Sequence, residues 1–298
     1  MSRIFISIFI FISTITLSFS SYGLDKSPAT DDRYFGETPP SLIPIPFTPS
    51  IPSVDGKFEN GIFSPDMQEF YFTTLIGKEK KRASFVVYYE NNQWGEAIKT
   101  DFKWPMFSVD GTKMYIGKSY REKTKTGWSE SKPTGAFLKE QAHGLSVSSN
   151  GTFFFPFFKK EDKGRGNLGY SRIENGQYQS PVKLATHINQ GQYIAHPHIS
   201  PDESYLMWDV EREDNLGSNQ PDIYISFKES DGSWGPAINM GSKINTALYE
   251  QSPHLSPDGK YLFFIRGEYK KHKDGTQYWQ GSSYWVSAQV IDNIRPKL

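Results

Sequence analysis

The sequence contains no cysteine, so no disulfide can stabilise the fold and no lipid-modified cysteine can anchor it. It carries no net charge either, because 33 basic residues balance 33 acidic ones. Nucleic acids and anionic membranes are held by a basic surplus, so this balance argues against both as partners. Hydrophobic residues make up 37% of the chain and aromatic residues 15%, which predicts a core of rings packed between flat sheets.

Familiar catalytic and ion-binding signatures are missing as well. The chain has no Gly-x-Ser-x-Gly elbow, no His-Glu-x-x-His zinc motif and no calcium-loop pattern. The glycines between Asp162 and Asn167 do not lead from a strand into a helix, which argues against a phosphate-binding loop. No complete catalytic motif is therefore available to name an enzyme class.

A long apolar run occurs at the N-terminus and nowhere else. Arg3 is followed by an uncharged, mostly apolar stretch that ends near Phe19, and small residues then run from Ser20 to Gly23. This order is typical of a secretory signal peptide cleaved within that small-residue run. A single membrane anchor is the alternative, since the run is near but below the span of a bilayer. We expect residues 1–23 to be removed, leaving a bacterial protein that is periplasmic or secreted, has no stable membrane span and is not a lipoprotein.

What the chain does contain is a repeated phrase, a Ser-Pro-Asp-Gly-like turn followed by a short aromatic or aliphatic run. The copies start 40 to 56 residues apart, a spacing typical of propeller blades. Asp-Gly and Asn-Gly turns reverse the chain between two strands. Because the aspartate recurs in almost every copy, it is expected to hydrogen-bond its own turn and not to catalyse. The five copies begin at Ser64, Ser108, Ser148, Ser200 and Ser256.

The repeats predict an all-β β-propeller of four-stranded blades, with five blades favoured and six as the alternative. Residues 24–42 are predicted to form a proline-rich linker and residues 43–298 a single propeller domain. The last repeat stops after its third strand, so the segment from Ile43 to Pro52 is expected to supply the missing strand and close the ring. Copies two and three have Val109 and Ser149 in place of the proline, and irregular turns are expected there.

The repeated phrases resemble WD-like repeats of the Pro-Asp type, found in the TolB-like family of bacterial periplasmic proteins. The resemblance extends from Phe58 to Val290 and is strongest, towards uncharacterised exported members, between Asp222 and Asn239. It implies the propeller fold but leaves the function open, because propellers carry many unrelated functions. Two junctions also align with each other without a gap, residues 187–200 with residues 243–256.

Four of the six histidines lie in the strand before a repeat serine. His198 and His254 each stand two residues before their serine, at equivalent positions of adjacent blades. His196 lies two residues earlier on the same strand face as His198. This strand borders the central channel of a propeller, so we expect a ligand-binding site at the channel mouth. The candidate binding residues are His143, His196, His198, His254, Glu250, Gln251 and Glu59.

Imidazoles beside a carboxylate suit a divalent transition metal or acid–base chemistry. His196, His198 and His254 are therefore candidate metal ligands. The similarity to oligogalacturonate lyases, which place a metal among histidines of a propeller, implies the same. The alternative is that these histidines fill positions between blades and hydrogen-bond neighbouring backbone.

The favoured function is a non-enzymatic, exported monomer that binds an envelope protein or a small ligand such as a glycan. The alternative is a carbohydrate-active enzyme, a metal-dependent lyase that uses the inner-strand histidines. A purely structural envelope component is a third possibility. Tryptophans such as Trp104 and Trp279 are candidates for stacking on sugars, with packing inside the blades as the other explanation.

Overall fold

The computed structural model describes residues 32–52, 54, 58–76, 81–138, 144–157, 166–212, 220–272 and 274–297. The predicted signal peptide and His143 lie outside these residues. Within the described ranges, no helix is both long and apolar enough to cross a membrane.

Antiparallel sheets of short strands are arranged in a ring, which makes the molecule a five-bladed β-propeller. The all-β prediction and the favoured blade number are confirmed, and the six-bladed alternative is wrong. The N-terminal strand is β1 (Ile45–Pro46). The first blade has β2 (Phe58–Phe63), β3 (Glu69–Ile76), β4 (Lys81–Glu90), β5 (Gln93–Trp94) and β6 (Ile98–Thr100). The second has β7 (Met106–Phe107), β8 (Lys113–Ile116), β9 (Ser119–Thr124), β10 (Gly127–Trp128) and β11 (Lys132–Pro133).

The remaining blades follow the same order along the chain. The third has β12 (Ser146–Val147), β13 (Phe153–Phe157), β14 (Asn167–Ser171), β15 (Ile173–Glu174), β16 (Gln177–Tyr178) and β17 (Val182–Lys183). The fourth has β18 (Gln192–Ile199), β19 (Tyr205–Glu211), β20 (Asp222–Phe227) and β21 (Ile238–Asn239). The fifth has β22 (Tyr249–Leu255), β23 (Tyr261–Lys271) and β24 (Gln277–Ser287). The helical segments are Asp32–Tyr34, Ala136–Leu138 and α1 (Gln289–Ile294).

The repeated phrase forms the turn between the first and second strands of each blade. In all copies the serine hydroxyl donates to the side-chain oxygen two residues later, over 2.5 to 2.8 Å. That oxygen also accepts a backbone N–H, as Asp110 does from Thr112 at 3.0 Å. The structural role of the aspartates is confirmed. Irregular turns in copies two and three were the wrong expectation, because Ser108 and Ser148 keep these bonds without the proline.

The residue three after each repeat serine adopts a left-handed backbone, which explains the glycines of the phrase. In the first and fourth copies this position holds Met67 and Glu203, with φ of 54° and 59°. A non-glycine residue in this region costs about 1–3 kcal/mol. The Glu203 carboxylate offsets the cost by accepting from Lys228 at 2.8 Å, and it lies 2.9 Å from the hydroxyl oxygen of Ser148 in the preceding blade.

The N-terminal strand pairs with the last blade, as predicted for the missing fourth strand. Ile45 lies opposite Trp285 and Pro46 opposite Tyr284 at the outer edge of β24. The next residue, Phe47, is buried with its ring centroid 5.0 Å from that of Trp285. The further prediction that this segment closes the ring stays a prediction.

Tyr34 is wholly buried between the last and first blades. Its ring centroid lies 5.5 Å from that of Phe63 in the first blade and 6.5 Å from that of Phe263 in the last. Part of the segment predicted as a linker is therefore packed on the propeller, because Tyr34 supplies a ring that fills the seam. The predicted domain boundaries stay a prediction.

Two equivalent asparagines fix the loops that enter the fourth and fifth blades. Asn189 accepts from the backbone N–H of Leu168 at 2.6 Å and donates to its carbonyl at 3.0 Å. Asn245 makes the same pair of bonds to Ile223, both 2.9 Å long. Each amide thus pairs both backbone polar groups of one residue in the third strand of the preceding blade. This shared clamp accounts for the internal alignment of the two junctions.

Candidate functional site

The strand directions divide the ring into two faces. Every repeat turn lies where a first strand ends and a second strand begins, and we call that end the repeat-turn face. The opposite end, where first strands begin and second strands end, is the mouth face. First strands of neighbouring blades contact each other, β12 with β18 and β18 with β22. They therefore surround the centre of the ring, and the mouth face opens above them.

The first strands are bulged at one repeated position. The strand register shifts between Phe58 and Gly61 in β2, between Ala195 and His198 in β18, and between Gln251 and His254 in β22. Within or near each bulge lies the residue four before the repeat serine. We call this set, one residue per blade, the collar: Asn60, Trp104, Gly144, His196 and Ser252.

The backbone of the collar is left-handed in four of its five members. The φ angles are 48° at Trp104, 92° at Gly144, 44° at His196 and 58° at Ser252, and Asn60 is the exception. A Cβ added to Gly144 would lie 3.4 Å from the Cα of His196. Gly144 and His196 are therefore close neighbours, and the glycine leaves room for the histidine of the next blade.

His196 is held in the collar by a buried carboxylate. Its Nδ1 lies 2.9 Å from Oδ1 of Asp209, whose side chain is 2% exposed. The same oxygen accepts the backbone N–H of Ser252 in the fifth blade at 2.8 Å. Burial acts to lower the pKa of His196, but the Asp209 carboxylate outweighs it and raises that pKa above its usual value. Asp209 therefore couples two collar residues from neighbouring blades and favours the charged form of one of them.

His198 and His254 form a second group below the collar. Each faces the second strand of its own blade, His198 opposite Met207 and His254 opposite Phe263. Burial, followed by the effect of the neighbouring His254, lowers the pKa of His198 to about 3. Among the described residues, Nε2 of His198 is buried without a hydrogen-bond partner. These two histidines are thus neighbours at the junction of the fourth and fifth blades.

Both nitrogens of His254 face backbone carbonyls. Nδ1 lies 3.1 Å from the carbonyl oxygen of Ser252, and Nε2 lies 3.1 Å from that of Gly61 in the first blade. A neutral imidazole has one N–H, so it can donate to only one of them. Burial lowers the pKa of His254 and the two carbonyls oppose that effect. His254 therefore joins the fifth blade to the first by polar contacts as well as by packing.

Each of the two glutamates predicted to bind a ligand forms an ion pair with an arginine. Glu59 contacts Arg82 at 3.0 Å and is 9% exposed at its side chain. Glu250 has a wholly buried side chain and accepts from Arg266 at 2.7 Å. Gln251 is half-buried beside Glu250, opposite Ile265. The structure therefore places these residues on the inner strands, with both carboxylates directed to internal partners.

The metal prediction gains no support from this arrangement. Among the described residues, no group of three or more histidine, aspartate or glutamate side chains is placed to hold a metal ion. His196 is engaged by Asp209, whereas His254 faces two carbonyl oxygens. His143 lies outside the described residues. Metal binding by His196, His198 and His254 stays a prediction.

Asp209 was missed at the sequence level, although the sequence carries a signal for it. It is the one charged residue inside the otherwise uncharged run from Tyr205 to Val210. A charged side chain in a fully buried strand needs a partner. Arg266, which follows the apolar run Leu262–Ile265, gives the same signal for the pair it makes with Glu250.

No protein-family model and no curated protein matches the chain. Similar solved structures include TolB from Acinetobacter baumannii, with 12% identity and a TM-score of 0.39 over 76% of this chain and 52% of that one. An oligogalacturonate lyase from Vibrio parahaemolyticus shows 15% identity and a TM-score of 0.39 over 79% and 68% of the two chains. The α-L-arabinofuranosidase PaAbf62A from Podospora anserina shows 10% and 0.45 over 83% and 97%.

The chain spans about half the length of the TolB structure. At these identities the likeness concerns the propeller fold alone. What the chain does must therefore be argued from its own collar, histidines and exposed side chains.

Proposed function

We propose that the chain is an exported, non-enzymatic binding module that holds a protein or a small ligand at the mouth of its channel. The collar carries this proposal, because a left-handed backbone recurs there at one position in four blades. Such residues cost about 1–3 kcal/mol each and cluster at binding and catalytic sites. At Trp104 the strain accompanies an indole that is 53% exposed on the mouth face.

The charges on the inner strands support binding over catalysis. Glu59 is paired with Arg82, Glu250 with Arg266, and the buried Asp209 with His196. General acid–base catalysis needs a group that reaches the proton it transfers. These carboxylates are instead satisfied inside the protein, where they hold the strands around the channel.

Site-specific photo-crosslinking in cells tests this proposal. A photoreactive phenylalanine analogue replaces Trp104 in the collar or, as the matched control, Val109, an exposed residue of a repeat turn. We expect position 104 to form a defined adduct with a protein or small molecule, identified by mass spectrometry, and position 109 to form none. Equal labelling at both positions, or none at position 104, contradicts binding at the mouth.

The Asp209–His196 pair favours one alternative, a carbohydrate-active enzyme. A buried aspartate that fixes Nδ1 of a histidine is a common way to prepare an acid–base imidazole. Incubation of the purified protein with polygalacturonate and other glycans tests this function. Turnover that is lost in His196→Ala would replace the binding proposal with the enzymatic one. Metal analysis beside a His198→Ala/His254→Ala double variant tests the metal.

Export of the mature chain is part of the proposal and rests on residues 1–23. Fractionation of cells that express the full chain, with mass spectrometry of the purified N-terminus, tests it. We expect a mature start within or directly after Ser20–Gly23 and recovery in the periplasm or the medium. Recovery of the uncleaved chain in the membrane supports the anchor instead.

A further inference from the structure

Exposed aromatic side chains gather on the mouth face. The described aromatic residues more than half exposed are Trp104, Tyr193 and Tyr269, at 53%, 60% and 54%. All three lie near the starts of first strands or the end of a second strand, and thus on the mouth face. Tyr193 and Tyr269 belong to a group at the edge of the fourth and fifth blades. We call this group the rim cluster: Tyr193, Tyr249, Tyr269 and Trp279.

Three members of the rim cluster hold one another edge to face. The ring centroids of Tyr249 and Tyr269 are 5.6 Å apart, those of Tyr249 and Trp279 5.5 Å, and those of Tyr269 and Trp279 5.2 Å. Tyr193 lies at the start of β18, which contacts β22 of the next blade, the strand that begins at Tyr249. Mutual edge contacts fix ring orientation, so the cluster is preorganised.

A pair of glycines makes room for the indole of Trp279. Gly267 and Gly281 lie directly opposite each other on β23 and β24. A Cβ at either glycine would lie 2.7 Å from an atom of the Trp279 ring system. Glycine inside a strand costs about 0.5–1 kcal/mol relative to alanine. The two facing glycines therefore lower the stability of the strands, but they leave room for the indole against the sheet.

Tyr193 is strained and exposed at once. Its φ is 52°, and a bulky residue in this region is a true outlier. Its counterpart one blade later, Tyr249, is half-buried and does not have a positive φ. Strain that leaves a ring more than half exposed adds nothing to the core. A ligand that stacks on the exposed ring would account for this strained backbone.

The polar residues around the cluster indicate which ligand this is. Gln192, Gln277 and Gln280 are exposed neighbours of its members along the same strands. Lys270 contacts Glu268 at 3.2 Å, and the next residue, Lys271, is exposed. Planar amides hydrogen-bond hydroxyl groups, and aromatic faces accept the apolar face of a pyranose ring.

We propose that the rim cluster binds an oligosaccharide, whose pyranose rings stack on Tyr193, Tyr269 and Trp279. This inference rests on the proposed function and names the ligand class of the mouth face. A proline-rich peptide, which also docks on aromatic surfaces, is less suited because such peptides need a continuous groove between parallel rings. The rings of the rim cluster meet edge to face.

Isothermal titration calorimetry of the purified mature chain with cellohexaose, xylohexaose and maltohexaose tests the inference. We expect at least one of them to bind and to shift the tryptophan fluorescence. Tyr193→Ala should weaken that binding at least about tenfold. The matched control, Tyr88→Ala, removes an exposed tyrosine near the repeat-turn end of β4 and should leave affinity unchanged. Equal thermal unfolding of both variants shows that the fold is intact.

The possible failures are distinguishable. No binding of any hexasaccharide, while position 104 still crosslinks to another ligand, overturns the sugar inference and leaves the binding module standing. Sugar binding that is equal in Tyr193→Ala and wild type overturns the assignment to the rim cluster. Binding of a proline-rich peptide in place of sugars overturns it too. Cleavage of a bound sugar contradicts the non-enzymatic proposal itself.

Discussion

The hydroxyl of Tyr34 donates a 2.6 Å hydrogen bond to Oδ1 of Asp258 across 224 residues of sequence. Asp258 belongs to the last repeat turn, whereas Tyr34 precedes the first blade. The bond therefore fastens the beginning of the described chain to its final blade, and the buried ring fills the seam between that blade and the first.

Shortening Tyr34 should weaken this seam in two steps. Tyr34→Phe loses a bond to a charged oxygen and should lower the free energy of unfolding by about 1.5 kcal/mol. Tyr34→Ala also leaves a cavity and should lower it by about 3–5 kcal/mol. Urea denaturation of the mature chain measures both, with Tyr88→Phe as the exposed control. An unchanged stability in Tyr34→Ala would show that the seam does not depend on the N-terminal segment.

The asparagine clamp gives a second stability prediction. Asn245→Ala should lower the free energy of unfolding by about 1–3 kcal/mol, because the buried N–H of Ile223 loses its Asn245 acceptor and the Ile223 carbonyl keeps only the bond from Met240. Asn245→Asp should do no better, since a carboxylate cannot donate to the carbonyl. Urea denaturation measures these variants beside Gln93→Ala, an exposed side chain of β5. Equal stability of Asn245→Ala and Gln93→Ala contradicts the clamp.

Removing the charge of Asp209 should lower the pKa of His196. In the wild type the carboxylate raises that pKa, so Asp209→Asn should return it toward or below the ordinary value. NMR titration of the His196 ring protons measures the change. Because the folded pKa is raised, the pair stabilises the protein below about pH 6.5, and that stabilisation is lost as pH rises through the raised pKa. An identical titration in both proteins contradicts the pairing.

His198 should make the protein acid-sensitive. Its folded pKa of about 3 lies below that of an unfolded histidine, so the unfolded chain binds more protons as pH falls. Stability should therefore be intact above about pH 6.5 and decline below it, by at most about 1.4 kcal/mol per pH unit from this group. Stability measured between neutral and acid pH should fall less steeply in His198→Leu. His272→Leu, at an exposed histidine, is the control and should keep the wild-type slope.

The sequence alone was sufficient to predict features whose interacting residues lie close together along the chain. The hydrogen bonds of the repeat turn lie within six residues. Ser256 and Asp258 therefore predict the turn without any knowledge of the fold. The asparagine clamp is also visible in the sequence, because Asn189 and Asn245 lie at the same distance before their repeat serines. Such features repeat in sequence because each blade needs them.

The candidate site was harder to predict because it depends on relations between blades. His196 stood out as a histidine, but its partner Asp209 comes from the next strand, and the Ser252 N–H that Asp209 also accepts comes from the next blade. The left-handed backbone at Trp104 has no residue signature, because the position does not hold a glycine. The rim cluster depends on the length of the last hairpin, which exceeds that of the other blades.

The position of the two ends of the described chain determines which face of the propeller is exposed when the molecule is tethered. Tyr34 contacts the last repeat turn, and α1 follows β24 where that strand ends, so both ends lie at the repeat-turn face. Any tag, tether or neighbouring domain joined at either end would extend away from the collar. Immobilised through its ends, the propeller would display the mouth outward, with the collar and the rim cluster open to whatever approaches from solution.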